Sequence, residues 1–156
     1  MTDTVLVRAP VGAVYRALTD VDGWPDWHAR CRSVRLPGTD GVDTHRLVLP
    51  AGRRRWRCDV EVSGWRHDTG VRWDVRTPVP LTTEWWLEPC REGTRVHHLV
   101  HDAPQGGRGV RALRRHRRAV VDALQALKDH LEAAVATAVT DTDTAVVDTA
   151  AQEPAR

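Results

Sequence analysis

Residues 82–101, TTEWWLEPCREGTRVHHLVH, contain two alternating runs joined by a turn. A period of two residues places alternate side chains on opposite faces of a strand. One face of each run is mostly apolar, and it comprises Thr83, Trp85 and Leu87 in the first run and Val96, His98 and Val100 in the second. The other face carries charged and histidine side chains. Because Gly93 lies in a short polar connection between the runs, the stretch predicts an antiparallel hairpin with one buried face.

The same alternation recurs upstream of this hairpin, in residues 30–36, 44–49, 54–65 and 71–77, and residues 4–8 predict one further strand. Clusters of Gly, Asp and Pro separate these runs, and their short lengths favour hairpins over parallel crossovers. Parity places Trp56 and Trp73 on the same side of the sheet as Trp85. The pattern therefore predicts a seven-stranded antiparallel sheet with tryptophans on its inner face.

Helical patterns flank the sheet. Residues 10–18 begin with a proline suited to a first helical turn and continue with apolar residues at helical spacing, and residues 20–27 suit a short second helix. Residues 108–137 predict one long helix whose apolar stripe is interrupted at Arg117. We expect one domain over residues 1–137 and a disordered tail over 138–156, because the tail lacks bulky core residues.

Composition excludes several classes of protein. A net charge of +2 is too small to imply nucleic acid or an anionic membrane. No apolar run approaches the length of a membrane span, and the N-terminus does not resemble a secretory signal. Three cysteines without close spacing predict reduced thiols in a cytoplasmic protein. His97 and His101 share a strand face but lie about 13 Å apart, too far to bind one metal ion together.

Three segments carry a resemblance to a known superfamily. Residues 8–18, RAPVGAVYRAL, look like its first strand and first helix, residues 20–27, DVDGWPDW, look like its second helix, and residues 84–96 look like its closing hairpin. The chain thereby resembles the START-like superfamily, also called SRPBCC or Bet v 1-like, over about residues 2–135. Within it, the polyketide cyclase/aromatase group is the most similar. The resemblance implies an α+β helix-grip fold, a curved seven-stranded antiparallel sheet around a long C-terminal helix with two short helices after strand 1.

The resemblance also implies an activity. Members of this group fold and dehydrate poly-β-ketone chains delivered on an acyl carrier protein, and the expected chemistry needs no cofactor and no metal. A site of this kind holds the chain in one conformation, donates a hydrogen bond to an enolate oxygen and moves protons. In the family these roles fall to Arg, His, Asp and Tyr side chains that point into the pocket.

The candidate catalytic residues here are His98, His28, Arg117 and Arg76. His98 lies on the apolar side of its strand, where it is a proton-transfer group or a buried structural histidine. His28 is close to the expected pocket mouth, or it is a solvated loop residue. Arg117 must pair, extend its head to solvent or meet a polar ligand, because burying an unpaired guanidinium is costly. Arg76 belongs to the polar face and reaches the pocket only if a bulge shifts the register.

The candidate ligand-binding residues are those expected between the sheet and the long helix: Trp56, Trp73, Trp85, Cys31, His116, Val96, Val100 and Leu113. Tryptophan rings suit the lining of a cavity for a flat or elongated apolar ligand. Alternatively the tryptophans fill the core, since the chain has seven Trp and no Phe. His116 either faces this interior or faces water.

Three functions stay open at this point. The main hypothesis is a polyketide cyclase/aromatase-like enzyme of secondary metabolism. The second is a binding or transfer protein for a hydrophobic metabolite, and the third is a domain with a collapsed pocket that mediates protein contacts. Arginine clusters at residues 53–57 and 108–118 are either solvated faces or a docking patch for an acidic acyl carrier protein. We expect no nucleic-acid binding, no membrane insertion, and a monomer or homodimer.

Overall fold

The computed structural model describes the backbone of residues 2–37, 44–102 and 106–150, with side chains except those of residues 62–65 and 139–150. Ten elements follow one another in the described chain. They are β1 (Thr2–Val7), α1 (Val11–Thr19), α2 (Trp24–Trp27), β2 (Arg32–Leu36), β3 (Thr44–Ala51), β4 (Arg54–Arg66), β5 (Gly70–Thr77), β6 (Leu81–Cys90), β7 (Gly93–Val100) and α3 (Gly106–Ala150). This order confirms the predicted one.

The strands form one curved sheet in the order β1-β7-β6-β5-β4-β3-β2, with every neighbouring pair antiparallel. Helix α3 packs across the inner face of the sheet, against β1 near one edge and β3 near the other. The predicted helix-grip fold is confirmed.

The predicted assignment of strand faces is confirmed wherever side chains are described. Trp56, Cys58 and Val60 of β4 are buried, as are the alternate residues of β5, β6 and β7 that the pattern placed inward. Val62, predicted to continue the inner face of β4, lies outside the described side chains. Alternation succeeds here because α3 covers only one face of the sheet, so that a slip of one residue would expose every apolar side chain of a strand.

Gly93 marks the beginning of β7 for a steric reason. Its φ is +141°, and a Cβ built there would lie 2.3 Å from the carbonyl oxygen of Val7 in β1. No L-residue with a side chain tolerates that combination. The glycine therefore lets β7 lie beside β1, which places His98 opposite Asp3.

Helix α3 differs from the prediction in the residue at which it ends and in which of its side chains are buried. Its backbone is helical to Ala150 rather than ending at Thr137, and no Gly or Pro between Gly109 and Pro154 interrupts it. The domain boundary at residue 137 and the disordered tail over residues 138–156 stay predictions. The buried stripe is Ala112, His116, Ala119, Val120, Ala123, Leu124, Leu127 and Leu131.

In the first half of α3, the predicted set of buried residues was displaced by one position along the sequence. Val110 and Val121 are exposed, whereas alanines and a histidine face the sheet. Small alanine side chains let the helix approach the sheet closely, so the larger valines of this segment are left for the outer face. The residue that interrupts the apolar stripe is therefore His116 and not Arg117.

Candidate functional site

A small enclosed cavity lies between α3 and the middle of the sheet. Its walls include Leu47 and Leu49 of β3, Val75 of β5, and Val120 and Ala123 of α3. Its volume is about 20 Å³, which is room for a single water molecule. The interior position expected for a ligand therefore exists, but this cavity is too small for a guest larger than water.

Tryptophan rings occupy the space where a larger cavity was expected. Trp24 of α2, Trp73 of β5 and Trp85 of β6 converge there, with ring centroids 5.0 Å apart for Trp24 and Trp73 and 6.0 Å apart for Trp73 and Trp85. Trp24 also meets Trp85 edge to face at 6.3 Å. The close approach of α3 and this aromatic cluster together leave little room at this cavity.

Four side chains of the cavity wall carry polar atoms without a partner. The indole Nε1 atoms of Trp24, Trp73 and Trp85 and the hydroxyl of Thr83 are buried, and no described residue hydrogen-bonds to them. Buried polar groups in folded proteins are nearly always hydrogen-bonded. These polar atoms are therefore unsatisfied in this conformation, although none of them is exposed at the cavity surface.

Two histidines meet at the edge of this cavity. The Nε2 atoms of His98 in β7 and His116 in α3 lie 3.4 Å apart, a long N–H···N hydrogen bond that requires one ring to donate and the other to accept. His98 is fully buried and His116 nearly so, and His116 lines the cavity. Trp85 packs against His98 with ring centroids 4.7 Å apart, and Trp56 meets His116 at 6.1 Å.

Burial keeps both of these rings neutral near pH 7. It lowers the pKa of His98 to about 3, and the neighbouring His116 adds to that effect. It lowers the pKa of His116 to about 4, with the charge of Asp3 acting weakly in the opposite direction. The Nδ1 atom of His98 has no hydrogen-bond partner among the described residues. In the tautomer in which His98 donates from Nε2 to His116, its Nδ1 is an acceptor without a partner.

His28 and Cys31 are buried next to α2 but do not line the cavity. The His28 ring stacks on Trp27 with centroids 5.9 Å apart and planes 13° apart. Burial lowers its pKa, and Asp122 of α3 opposes that shift. Burial raises the pKa of the Cys31 thiol to about 12, so this cysteine stays protonated and is a poor nucleophile.

The structure does not bring the two candidate arginines to the interior. Arg117 is exposed on the outer side of α3, where its Nε and Nη2 both lie 3.0 Å from Oδ1 of Asp3. Arg76 is exposed on the outer face of the sheet and pairs with the buried Glu61. The pairing of β4 with β5 does shift register next to Arg76, between Asp59 and Val60, but Arg76 still faces outward.

The remaining candidates divide into cavity residues and core residues. Trp73, Trp85 and His116 line the cavity, as predicted from parity for the tryptophans. Trp56, Val96 and Val100 are buried in the same core without lining the cavity, and Leu113 is half-buried. Trp24 was not among the predicted site residues, because a four-residue helix gives no periodicity that predicts which way its side chains point. Thr83 was predicted on the inner face but not as a site residue.

The two arginine clusters meet at one surface, beside the β3–β4 turn and the first half of α3. One groove of about 420 Å³ is lined by Gly52 and by α3 residues that include Arg114 and Arg118. A second of about 370 Å³ is lined by Arg54 together with Arg111 and the same two arginines. Residues far apart in sequence thus form one positively charged surface, which we call the arginine surface.

Other kinds of site are not found in the described part of the chain. No group of three or more His, Cys, Asp or Glu residues there is arranged to hold a metal ion. Among the described helices, none combines the length and the hydropathy needed to cross a membrane.

The chain matches a known protein family and resembles several solved structures. A model described as polyketide cyclase/dehydrase and lipid transport matches residues 1–132. No curated protein matches the chain. Similar solved structures include the di-domain ARO/CYC StfQ from the steffimycin biosynthetic pathway, with 17% identity over 87% of this chain and 51% of that chain and a TM-score of 0.63.

Two further structures cover most of both chains. The Zhui aromatase/cyclase from Streptomyces sp. R1128 is 18% identical over 86% of this chain and 94% of that one, with a TM-score of 0.60. The KanY protein is 24% identical over 84% and 95%, with a TM-score of 0.64. The chain spans about half the length of StfQ. At these identities the likeness shows a shared fold.

Proposed function

The chain belongs to the polyketide cyclase/dehydrase and lipid transport family, and we propose that it is a cofactor-independent cyclase that folds and dehydrates a poly-β-ketone between the sheet and α3. The observation that carries this proposal is the contact between His98 and His116, two buried neutral imidazoles 3.4 Å apart beside an interior cavity. A binding protein needs no such pair, whereas cyclisation and dehydration both move protons.

The histidine pair supports the chemistry as follows. A base removes a proton from a methylene group between two ketones, and the resulting enolate carbon attacks another carbonyl to form the ring bond. The new alkoxide takes up a proton, and loss of a second methylene proton together with the hydroxyl releases water. Burial makes both histidines weak bases, but an enolate oxygen beside them raises their pKa by its opposite charge.

Substrate entry requires the interior to widen, since about 20 Å³ does not hold a poly-β-ketone. The contacts of α3 favour opening on its β3 side. Polar contacts tie the helix to β1, through Arg117 with Asp3, Lys128 Nζ with the carbonyl of Leu6 at 2.8 Å, and Glu132 with the backbone N–H of Arg8 at 2.9 Å. Towards β3, Val120 and Ala123 of α3 meet Leu47 and Leu49 at the cavity wall without a polar contact among them.

The arginine surface supports delivery of the substrate by an acidic acyl carrier protein. Arg111, Arg114, Arg115 and Arg118 project from α3 beside Arg54, the first residue of β4. This surface lies on the β3 side of α3, where entry is proposed. Charge of this kind accelerates encounter with an acidic partner more than it strengthens the complex.

The test is conversion of a carrier-bound poly-β-ketone mimic, with products identified by mass spectrometry. The protein should shift the product distribution towards cyclised and dehydrated species. His98→Ala and His116→Ala should each lower turnover by about a hundredfold or more. The matched control is His97→Ala, because His97 lies on the outer face of the same strand and contacts Glu88 at 3.2 Å.

Two results would contradict the proposal. The first is an identical product distribution with and without the protein. The second is wild-type turnover in both interior variants, which would remove the histidine pair from the chemistry while leaving open another set of residues.

A second candidate function is binding or transfer of a hydrophobic metabolite without chemistry. The observation in its favour is that the cavity wall is mostly aliphatic and aromatic, with Leu47, Val60 and Val75 among its residues. Saturable ligand binding in calorimetry, together with unchanged products, would support this candidate.

A further inference from the structure

We infer that the arginine surface contains a binding site for a diphosphate group, and that the ligand is a coenzyme A thioester. The choice of a thioester rests on the proposed function, which the inference extends by naming a free small molecule that presents the substrate. A phosphopantetheine arm ends in one phosphodiester on a carrier protein. In coenzyme A the same arm ends in a diphosphate, with a further phosphate on the ribose.

The groove beside the start of β4 is lined almost entirely by arginine. Its volume is about 370 Å³, and its lining consists of Ala51, Arg54, Arg111, Arg114, Arg115 and Arg118. All five arginines are exposed, and none of them has an ion pair or a side-chain hydrogen bond with a described residue. The groove therefore holds five positive charges and no carboxylate in its described lining.

Several arginines on other surfaces of the molecule do form ion pairs. Arg46 lies 2.7 Å from Asp59, and Arg95 lies 3.5 Å from Glu88. In the adjoining groove of about 420 Å³, Asp122 is the carboxylate that offsets part of the positive charge. The five arginines of the first groove lack such a partner, so their summed potential attracts an anion from solution.

The spacing of these arginines indicates an anion with more than one phosphate group. Positions 111, 115 and 118 are separated by four and three residues, so they share one face of α3. At 1.5 Å per residue they extend over about 10 Å of the helix. Arg54 adds a guanidinium from a different element. A single phosphodiester supplies one negative charge to this set, whereas a diphosphate and a ribose phosphate supply several.

Arginine is chemically suited to this ligand. Its guanidinium is planar and permanently charged, and it donates two parallel hydrogen bonds to a phosphate group. A diphosphate has acceptor oxygens on all sides, so it can accept from several arginines at once. The groove thus combines the donor type, the charge and the extent that a diphosphate requires.

The groove lies next to the interior cavity. Leu49 of β3 lines the cavity, and Ala51, two residues further along the same strand, lines the groove at a distance of about 7 Å. On α3, His116 lines the cavity and its neighbour Arg115 lines the groove. A diphosphate held in the groove would therefore keep the thioester arm close to the histidine pair.

A matched ligand series tests the inference. Pantetheine, phosphopantetheine, dephospho-coenzyme A and coenzyme A share one arm and carry no, one, two and three phosphate groups. Affinity measured by calorimetry at low salt should rise about threefold to tenfold with each phosphate. Equal affinities along the series, or no detectable binding of coenzyme A at low salt, would overturn the site.

Competition and salt identify which part of the ligand binds. Inorganic diphosphate should displace coenzyme A, whereas adenosine should not, because the arginines recognise phosphate and not the base. Raising the ionic strength from about 50 mM to about 500 mM should remove most of the gain along the series. Displacement by adenosine alone, or an affinity that does not depend on salt, would contradict the inference.

Substitutions locate the site on the surface. Arg111→Gln and Arg115→Gln should each weaken coenzyme A binding about threefold to tenfold and leave pantetheine binding unchanged. Both side chains are exposed, so the variants should keep the fold, which circular dichroism checks. The control is Arg91→Gln, an exposed arginine between β6 and β7 that lines neither groove. An equal loss in the control would assign binding to net charge alone.

Failure of this site can be told from failure of the proposed activity. If coenzyme A binds with the expected order but the carrier-bound poly-β-ketone is not cyclised, the diphosphate site stands and the enzyme proposal fails. If cyclisation occurs while the ligand series shows no preference, the enzyme proposal stands and the diphosphate site fails.

Discussion

Trp85 and Trp86 are neighbours on β6 and lie on opposite faces of the sheet, in opposite states of hydrogen bonding. The indole N–H of Trp86 donates to Glu84 at 2.9 Å, and Arg66 lies over its ring at 5.0 Å from the centroid. The indole N–H of Trp85 has no described partner, although this ring is more deeply buried. The face nearer to water thus satisfies its donor, and the face shielded from water does not.

The same contrast extends over both faces of the sheet. On the outer face, Thr82 donates to Asp74 at 2.8 Å and Arg46 donates to Asp59 at 2.7 Å. On the inner face, the hydroxyl of Thr83 and Nδ1 of His98 lack partners among the described residues. Unsatisfied buried groups cost stability, so hydrogen bonds of side chains stabilise the outer face more than the inner face.

The largest expected difference between the faces is in packing. Trp85→Ala should destabilise the fold by about 3–5 kcal/mol, because the ring is buried against Trp24, Trp73 and His98. Trp86→Ala should cost about 1–2 kcal/mol, since its ring is only half-buried. Urea unfolding of the two variants measures both values. Equal losses would mean that the two faces do not differ in packing.

A smaller difference should appear in the response to pH. Because burial lowers the pKa of His98 to about 3 and that of His116 to about 4, the unfolded chain binds more protons than the folded one below about pH 6.5. The stability that these two histidines contribute is therefore fully present above about pH 6.5. It is lost as the pH falls towards the pKa values of the two histidines in the folded protein. At about pH 5 the loss is about 2 kcal/mol for each histidine.

Unfolding experiments on His98→Leu isolate this effect from the other titrating groups. Between about pH 7.5 and about pH 5, the free energy of unfolding should fall by about 2 kcal/mol less in the variant than in the wild type. His97→Leu, on the outer face of the same strand, should keep the wild-type pH dependence. If the free energy of unfolding of the His98 variant depended on pH as that of the wild type does, this histidine would not be neutral in the folded protein.

The smallest difference concerns two adjacent hydroxyl groups. Thr82→Val removes the hydrogen bond to Asp74 and should cost about 1 kcal/mol. Thr83→Val removes a buried hydroxyl that has no described partner, so it should be neutral or stabilising by up to about 1 kcal/mol. The two unfolding free energies should therefore move in opposite directions, and a larger loss at Thr83 would contradict an unsatisfied inner face.

The fold was predictable from the sequence to a greater extent than the site. Period-two alternation in β4 to β7 predicted which side chains face inward, because one covered face makes the register unambiguous. For α3 the same reasoning failed by one position, since valines at 110 and 121 weighed more than the alanines that pack on the sheet. Arg117 was consequently assigned to the stripe in place of His116.

The size of the interior could not be predicted from the chain alone. It depends on how far α3 approaches the sheet and on where Trp24 inserts from a helix of four residues. Both are tertiary properties without a local pattern. The contact between His98 and His116 is of the same kind, because it joins a strand and a helix whose relative position only the packed structure defines.

The proposed function requires the inner face to open and bind an oxygen-bearing ligand beside the histidine pair. A crystal structure of the protein with 1-phenyl-1,3-butanedione would test this opening. We predict the diketone between Trp73, Trp85 and α3, with a ketone oxygen at hydrogen-bond distance from His98 or His116. A diketone seated only in the arginine surface, over an unopened interior, would contradict interior binding.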